Sequence, residues 1–117
     1  MINHKERFPN LYQFLGSYFN QSWKEFYDWK DATPNFEAVV NYYKSISSTA
    51  DIRQVSKELR DFLALSIDEK DFEVIVRDEF FVWFTLRSRG MNKRQWLEAV
   101  LKILDEPTKH SDLRFIG

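Results

Sequence analysis

The sequence contains no cysteine, and only three of its 117 residues are glycine and three are proline. The absence of cysteine excludes disulfides, thiolate metal sites and thiol catalysis, and it fits a reducing compartment. So few glycines and prolines disfavour a disordered chain and an all-β sandwich. No segment approaches the roughly 18 apolar residues of a membrane span, and the polar stretch 1–7 is not a signal peptide. We therefore expect a cytoplasmic protein with no membrane partner.

Apolar residues, by contrast, are abundant at 44% of the chain, and aromatic residues reach 17%. A chain of this length buries about two-thirds of its unfolded surface, so a core built around aromatic rings is expected. The length predicts one domain over 1–117, with terminal arms at 1–7 and 108–117. Apolar residues in the second arm allow the tail to fold back onto the surface.

The stretch 8–29 is expected to organise the fold. Its bulky residues recur at the i, i+3, i+4, i+7, i+8 spacing of an apolar helix face, and Pro9 suits the first helical position. Trp23–Trp29 is either a continuation past a bend or a separate short helix. Gly16 lowers helix propensity by about 1 kcal/mol relative to alanine, which suggests that another element crosses closely there.

Further helices follow from similar patterns. We predict helices over 35–45 and 50–65, with Glu58 facing water on the second. Ser66 and Glu69 form a capping-box pattern for the next helix, and Asn92 with Gln95 forms one for the last, which Pro107 ends. The stretch 72–86 has strand-like composition but lacks strict alternation, so we interpret it as helical with a possible break near Asp78. The prediction is an all-α bundle of about five to seven helices around an aromatic N-terminal helix.

Residue patterns typical of an enzyme are missing. Both histidines, His4 and His110, lie in the predicted arms without a carboxylate at helical spacing to orient them. No glycine-rich phosphate loop or zinc spacing is present. The pair Asp68 and Asp71 is available to a small hydrolase, but a solvated helix face explains it better. We expect no catalytic residues, no metal and no cofactor.

Charge is segregated along the chain although the net charge is only −1. Residues 61–79 contain seven acids and two bases, whereas residues 87–102 contain five bases and one acid. The basic loop 87–94 gives an alternative function, a small nucleic-acid-binding or regulatory domain, although the neighbouring acids would repel a polyanion. The acidic run is either an ordinary solvated surface or a docking site for a basic protein.

One segment resembles a known family. Residues 8–23 read FPNLYQFLGSYFNQSW, which is similar to the N-terminal signature of immunity proteins from bacterial contact-dependent growth inhibition systems. That signature ends in His-Gln-Asp-Trp; this chain keeps Gln21 and Trp23 but has Asn20 and Ser22 at the other two positions. The sequence Arg94-Gln95-Trp96-Leu97 resembles the start of the family's C-terminal helix. As a pattern, the resemblance covers most of the chain.

The resemblance implies a protein that binds a cognate toxin domain stoichiometrically, without turnover or nucleic acid. Toxins of these systems are often nucleases with basic clefts, so the acidic run becomes the expected partner-binding surface. The signature residues are expected to be mainly structural, with a partner contact at 20–23 as the alternative. The expected partner-binding residues are Asp61, Asp68, Glu69, Asp71, Asp78 and Glu79. They cannot all point one way on a helix, and the expected single patch is Asp68, Asp71, Asp78 and Glu79. The signature residues are Tyr18, Phe19, Asn20, Gln21 and Trp23.

Overall fold

A computed structural model describes residues 3–84, 89–109, 111 and 113–116. In these ranges the chain forms six α-helices, a short 3-10 helix at Trp23–Phe26 and one two-stranded antiparallel sheet. The prediction of an all-α fold is therefore confirmed. The strands are β1 (Tyr27–Asp28) and β2 (Arg114–Phe115). The helices are α1 (His4–Arg7), α2 (Pro9–Tyr18), α3 (Phe36–Ile46), α4 (Thr49–Leu63), α5 (Glu69–Asp78) and α6 (Lys93–Asp105).

The core joins all the longer helices. Helix α6 packs against α3, α4 and α5, and α2 packs against α4. Trp96 of α6 is fully buried, with the rings of Phe19, Phe36 and Phe84 edge-on to it at centroid distances of 5.1, 6.1 and 5.2 Å. Such edge-to-face pairs stabilise a core beyond the area they bury. The aromatic residues are thus core residues first, as the helical spacing indicated.

Of the two helix caps predicted from the sequence, the one at α6 is correct and the one at α5 is wrong. Asn92 and Gln95 form the predicted reciprocal capping box at the start of α6. At α5, however, Asp68 is the N-cap and accepts the N–H of Asp71, so the predicted cap at Ser66 is wrong. The guanidinium of Arg94 donates to the carbonyl oxygens of Leu63 and Ile67 at 3.4 and 3.1 Å. These bonds hold the linker between α4 and α5 in a non-helical conformation, so the helix begins later.

Glu58 and Gly16 also depart from expectation. The prediction that Glu58 faces water is wrong, because its side chain is only 6% exposed. Its carboxylate accepts backbone N–H groups from the first turn of α2, where Phe8 supplies no side-chain cap. The predicted close crossing at Gly16 is also wrong, since a Cβ added there would meet no atom within 4 Å.

Lys44 of α3 is a second buried charged residue. Its ammonium donates to the carbonyl oxygen of Ile103 at 2.6 Å and to that of Glu106, both at the C-terminal end of α6. Burial lowers the pKa of this lysine. The carbonyls at a helix C-terminus carry partial negative charge, so the contact satisfies groups that the helix cannot bond itself.

The stretch 72–86 is helical only in its first half, and it breaks at the place the sequence suggested. Helix α5 ends at Asp78, and Phe81 then takes a positive φ of 60°. This turn brings the N–H of Val82 to 3.2 Å from the carbonyl oxygen of Val76. Phe80 and Val82 are buried whereas Phe81 and Trp83 are exposed. The last two positions of the predicted helix, Thr85 and Leu86, lie outside the described residues.

Both terminal segments are attached to the fold. The predicted arm 1–7 is wrong for residues 4–7, which form α1 with Asn3 as its N-cap. At the other end β2 pairs with β1, placing Phe115 opposite Tyr27. The tail therefore folds back onto the surface, as its apolar residues allowed. His110 lies outside the described residues.

Candidate functional site

Among the residues that the structure describes, no three histidine, aspartate or glutamate side chains come together in a group that could hold a metal ion. None of the helices in the same ranges combines the length and apolar character needed to cross a bilayer. The acidic residues predicted to bind a partner lie mainly on and beside α5.

Helix α5 distributes its carboxylates over three sides. Phe72 and Val76 point into the core. Positions 69 and 73 face α6, position 79 faces α1, and positions 71, 74 and 78 lie on the solvent side. Because of this arrangement, the six predicted partner-binding residues do not share one surface.

The side toward α6 is occupied by internal ion pairs. Glu69 accepts from the guanidinium of Arg94 at 2.7 Å. Glu73 pairs with the ammonium of Lys93 at 3.2 Å and accepts the Lys93 backbone N–H at 2.9 Å. Arg94 also lies 4.2 Å from the centroid of the Phe72 ring. Glu69 is therefore a structural contact between α5 and α6 in the free protein.

Glu79 and Asp61 are likewise turned toward neighbours. One carboxylate oxygen of Glu79 accepts the backbone N–H of His4 at 2.8 Å. The other oxygen lies 2.9 Å from Nδ1 of the His4 ring. Asp61, at the end of α4, pairs with Lys57 one turn earlier at 3.0 Å. Both the Lys57 and Asp61 side chains are well exposed, so this pair contributes little stability.

Asp71 and Asp78 occupy the solvent side of α5, with Val74 between them. The Arg77 guanidinium donates to both oxygens of Asp78, at 2.8 and 3.2 Å, and holds the pKa of this carboxyl below its usual range. Asp68 caps the helix. Neither Asp68 nor Asp71 pairs with a cation within the described ranges. Internal pairing thus leaves an acidic excess at the N-terminal end of this side.

Sequence reasoning missed the apolar part of this surface. Val74 is 39% exposed, Phe81 40% and Trp83 54%. We define the α5 docking face by Asp71, Val74, Asp78, Phe81 and Trp83. The loss of helical periodicity after Asp78 was the available signal for the two rings, because a break there places alternate residues outside.

A surface groove adjoins this face. It has a volume of about 620 Å³, and its lining includes Glu73, Arg77, Trp83, Met91 and Trp96. The Nε1 atom of Trp96 is buried and makes no hydrogen bond within the described ranges. The groove places an exposed ring, Trp83, beside charged groups of both signs.

The signature residues make structural contacts. Phe19 is fully buried and Trp23 nearly so, and Tyr18 lies edge-on to Tyr43 at 5.1 Å. The side-chain amide of Asn20 donates to the carbonyl oxygen of Gly16 at 3.3 Å, and its oxygen accepts the N–H of Ser22 at 2.9 Å. Asn20 therefore has a structural role: it caps the C-terminal end of α2 by bonding a carbonyl oxygen that the helix leaves unpaired.

Of the signature residues, Gln21 is the exposed one, and no side-chain hydrogen bond ties it to the described part of the chain. A partner contact in the cluster 20–23 would therefore have to be made mainly by Gln21, since Trp23 is buried.

The basic loop 87–94 is also engaged internally, apart from Arg87, which lies outside the described residues. Arg89 forms a two-bond pair with Glu37 at 2.8 and 2.6 Å, and this hydrogen bonding lowers the pKa of Glu37. Lys93 and Arg94 pair with α5 as described above. A phosphate that bound Arg89, Lys93 or Arg94 would have to compete with the carboxylate already paired to that side chain.

Comparison with known proteins gives one positive result. The family model described as CdiI immunity protein matches residues 7–104. No curated protein and no solved structure matches the chain. The matched range runs from the end of α1 almost to the end of α6, so it includes the signature segment and the whole of α5.

Proposed function

The chain belongs to the CdiI immunity protein family, and we propose that it binds and neutralises the C-terminal toxin domain of a cognate contact-dependent inhibition effector. Neutralisation takes place in the cytoplasm of the producing cell. The observation that carries this proposal is the family match over 7–104, which spans α2 to α5 completely and all of α6 except its last residue.

The proposed mechanism is stoichiometric binding without turnover or cofactor. The protein either covers the toxin's active site or holds a surface that the toxin needs. Protection requires a complex of nanomolar affinity or tighter, about −12 kcal/mol or beyond, because a few free toxin molecules suffice for damage. The chain's own catalytic chemistry is not required.

The toxin is further proposed to be a nuclease. A nuclease cleft is basic because it binds phosphates, and a carboxylate-rich surface complements it. Residues 61–79 supply seven acids against two bases, and Asp68 and Asp71 retain carboxylates without a cationic partner in the described part of the chain. Long-range attraction of this kind mainly accelerates association.

The test takes as the toxin the C-terminal domain of a large secreted protein encoded in the neighbouring upstream reading frame, and the absence of such a reading frame would count against the proposal. That domain is expressed from an inducible promoter in cells with and without the immunity protein, and the purified pair is titrated by calorimetry. We expect growth arrest only without the immunity protein and a one-to-one complex. Growth arrest in both strains, together with no measurable binding, would contradict the proposed function.

The nuclease assignment has its own readout. Total DNA and RNA are examined after toxin induction, and the purified toxin is assayed with and without an equimolar amount of this protein. Degradation that the protein suppresses supports the assignment. Toxin-arrested cells whose nucleic acids stay intact would contradict it while leaving neutralisation in place.

A further inference from the structure

We infer that the toxin domain docks on the α5 docking face, with the exposed rings of Phe81 and Trp83 as its apolar anchors beside the carboxylates of Asp71 and Asp78. This inference rests on the proposed function, and it names the surface and the chemistry of recognition. The partner it specifies is a protein surface with basic side chains around an apolar pocket.

The first support is the exposure of two large rings at one place. Phe81 is 40% exposed and Trp83 is 54% exposed, while their chain neighbours Phe80 and Val82 are fully buried. The two buried side chains fix the backbone, and the Trp83 ring is left mostly in solvent, whereas the partly exposed Phe81 ring also packs against Tyr12 at 5.9 Å. Rings held by a buried backbone lose little conformational entropy on binding, which suits them to act as anchors.

The backbone at Phe81 is the second support. Its φ of 60° lies in the left-handed region, which glycine and asparagine adopt readily and a bulky residue does not. A phenylalanine at this position costs stability that asparagine would not cost. Strained backbone of this kind tends to occur at functional sites, where a side chain is retained for what it contacts.

The third support is the size of the face. Asp71 and Asp78 are seven residues apart in a helix, a rise of about 10 Å. Phe81 follows Asp78 by three residues and Trp83 by five, so their Cα atoms lie within about 11 and 18 Å of it. A standard interface of about 800 Å² per partner is wide enough to cover all four residues at once. The rings would then form its dry centre and the carboxylates its rim.

Charge selects the kind of partner. The rings follow Asp78 at the end of α5, and the solvent side of this helix also carries Asp71, which pairs with no cation among the described residues. Aromatic anchors with a charged rim are typical of specific protein interfaces, where tryptophan in particular carries much of the affinity. An acidic rim selects a basic partner, which is the property proposed for the toxin.

The second exposed apolar pair differs in its charged surroundings. Phe115 is half exposed and its ring packs against Phe26 and Tyr27 at 6.1 and 5.8 Å, much as the Phe81 ring packs against Tyr12 at 5.9 Å. Ile116 is bonded through its N–H to the carbonyl oxygen of Phe26 at 2.7 Å. Arg114 is the charged residue beside them, so this tail offers a basic partner no complementary charge.

The experiment compares three variants of the full chain for binding to the toxin domain, recovered from the co-expressed complex. Phe81→Asn and Trp83→Ser each remove one ring, and Ile46→Ser removes an exposed apolar side chain of similar accessibility, 58%, at the end of α3. We expect Kd to rise by about thirtyfold or more for each ring variant, mostly through faster dissociation, and to stay within about threefold for Ile46→Ser.

Thermal melting of the same proteins separates binding from folding. Asparagine tolerates the left-handed conformation, and this gain offsets the loss of the ring contact with Tyr12, so Phe81→Asn should melt close to the wild-type temperature while it binds the toxin more weakly. That combination is not produced by a ring that serves only the fold. Weaker binding that simply follows a lowered melting temperature would overturn the inference.

A spectroscopic readout tests contact directly. The four tryptophans are replaced biosynthetically by 5-fluorotryptophan, and the Trp83 fluorine signal is assigned by its loss in Trp83→Phe. Adding unlabelled toxin should shift this signal and remove its sensitivity to heavy water, since the ring leaves solvent. An unchanged Trp83 signal in a saturated complex would overturn the inference.

Failure of the inference is distinguishable from failure of the proposed function. If the wild-type chain binds toxin and both ring variants bind equally well, docking occurs elsewhere and neutralisation stands. If the wild-type chain does not bind the toxin at all, the proposed function fails and the docking face fails with it.

Discussion

The carboxylate of Glu58 accepts the backbone N–H of Asn10 at 2.8 Å, although 48 residues separate the two in sequence. It also accepts the N–H of Leu11 at 3.2 Å and the side-chain amide of Asn10 at 2.6 Å. Helix α2 begins after Phe8, which has no side-chain oxygen, so α4 supplies the cap that the local sequence lacks. A carboxylate is also favoured there by the positive end of the helix dipole.

Replacing Glu58 by alanine should therefore lower the free energy of unfolding by about 1–3 kcal/mol, because buried N–H groups lose their acceptor. Urea denaturation followed by circular dichroism measures the change. The control is Glu98→Ala, which truncates an exposed glutamate on α6. A loss for Glu58→Ala no larger than for this control would contradict the capping role.

Gly16→Ala should stabilise the protein by up to about 1 kcal/mol, because alanine has the higher helix propensity. The added Cβ would meet no atom of another element within 4 Å, so no clash across the fold opposes the gain. Gly90 is the matched control: its surroundings are equally open, but its φ is 67°. Gly90→Ala should cost about 1 kcal/mol or more. Equal shifts of the two melting temperatures would contradict this account.

Reversal of Asp71 and Asp78 to lysine should slow association with the toxin domain and flatten its dependence on salt. Of the two single variants, Asp71→Lys should slow association more than Asp78→Lys, because the charge of Asp78 is already compensated by its ion pair with Arg77. Folding should survive, with a cost of about 1 kcal/mol or less for a lysine in the first turn of α5. Association rates at two salt concentrations measure the effect.

The matched control for this reversal changes two exposed acids outside α5, Glu25 and Asp31, to lysine. Both double variants change the net charge by the same amount. A difference between their association rates therefore reports the position of the charges and not the overall charge. Identical association rates for the two double variants would mean that the acidic side of α5 is not where the toxin lands.

Stability should fall steeply in alkaline solution. Burial raises the pKa of Tyr27, with smaller contributions from Tyr18 and Tyr42, and burial also raises the pKa of Tyr18 and Tyr43. A folded-state pKa above the unfolded value gives stability that is complete below about pH 10 and is lost as the pH rises further. Tyr27→Phe removes one such group, so its unfolding free energy should fall less between about pH 9 and 11. The same decline in both proteins would contradict this prediction.

Local patterns in the sequence identified much of the fold. The apolar face of α3, Phe36, Val39, Val40 and Tyr43, is buried as its spacing predicts. The Asn92 capping box forms because both partners lie within one turn. These features need only neighbouring residues, so the sequence states them completely.

The errors involve groups from distant segments. Ser66 and Asp68 both have a side-chain oxygen that can cap α5. Arg94 of α6 favours the cap at Asp68, because its hydrogen bonds to the carbonyl oxygens of Leu63 and Ile67 keep the linker non-helical. Glu58 occupies a helix position that reads as solvent-facing, and only the arrival of α2 makes it an acceptor. The exposed rings of the α5 docking face were missed because the aromatic residues were all assigned to the core.

The ammonium of Lys44 is buried against the end of α6, so its chemical reactivity reports how often the molecule opens there. An amine-reactive acylating reagent modifies surface lysines at once, but it reaches Lys44 only when α3 and α6 separate and release its hydrogen bonds. The labelling rate of Lys44, read by mass spectrometry, therefore measures how often the α3–α6 contact breaks in the native protein. If toxin binding suppresses this opening, the labelling rate of Lys44 should fall in the complex although Lys44 is remote from α5.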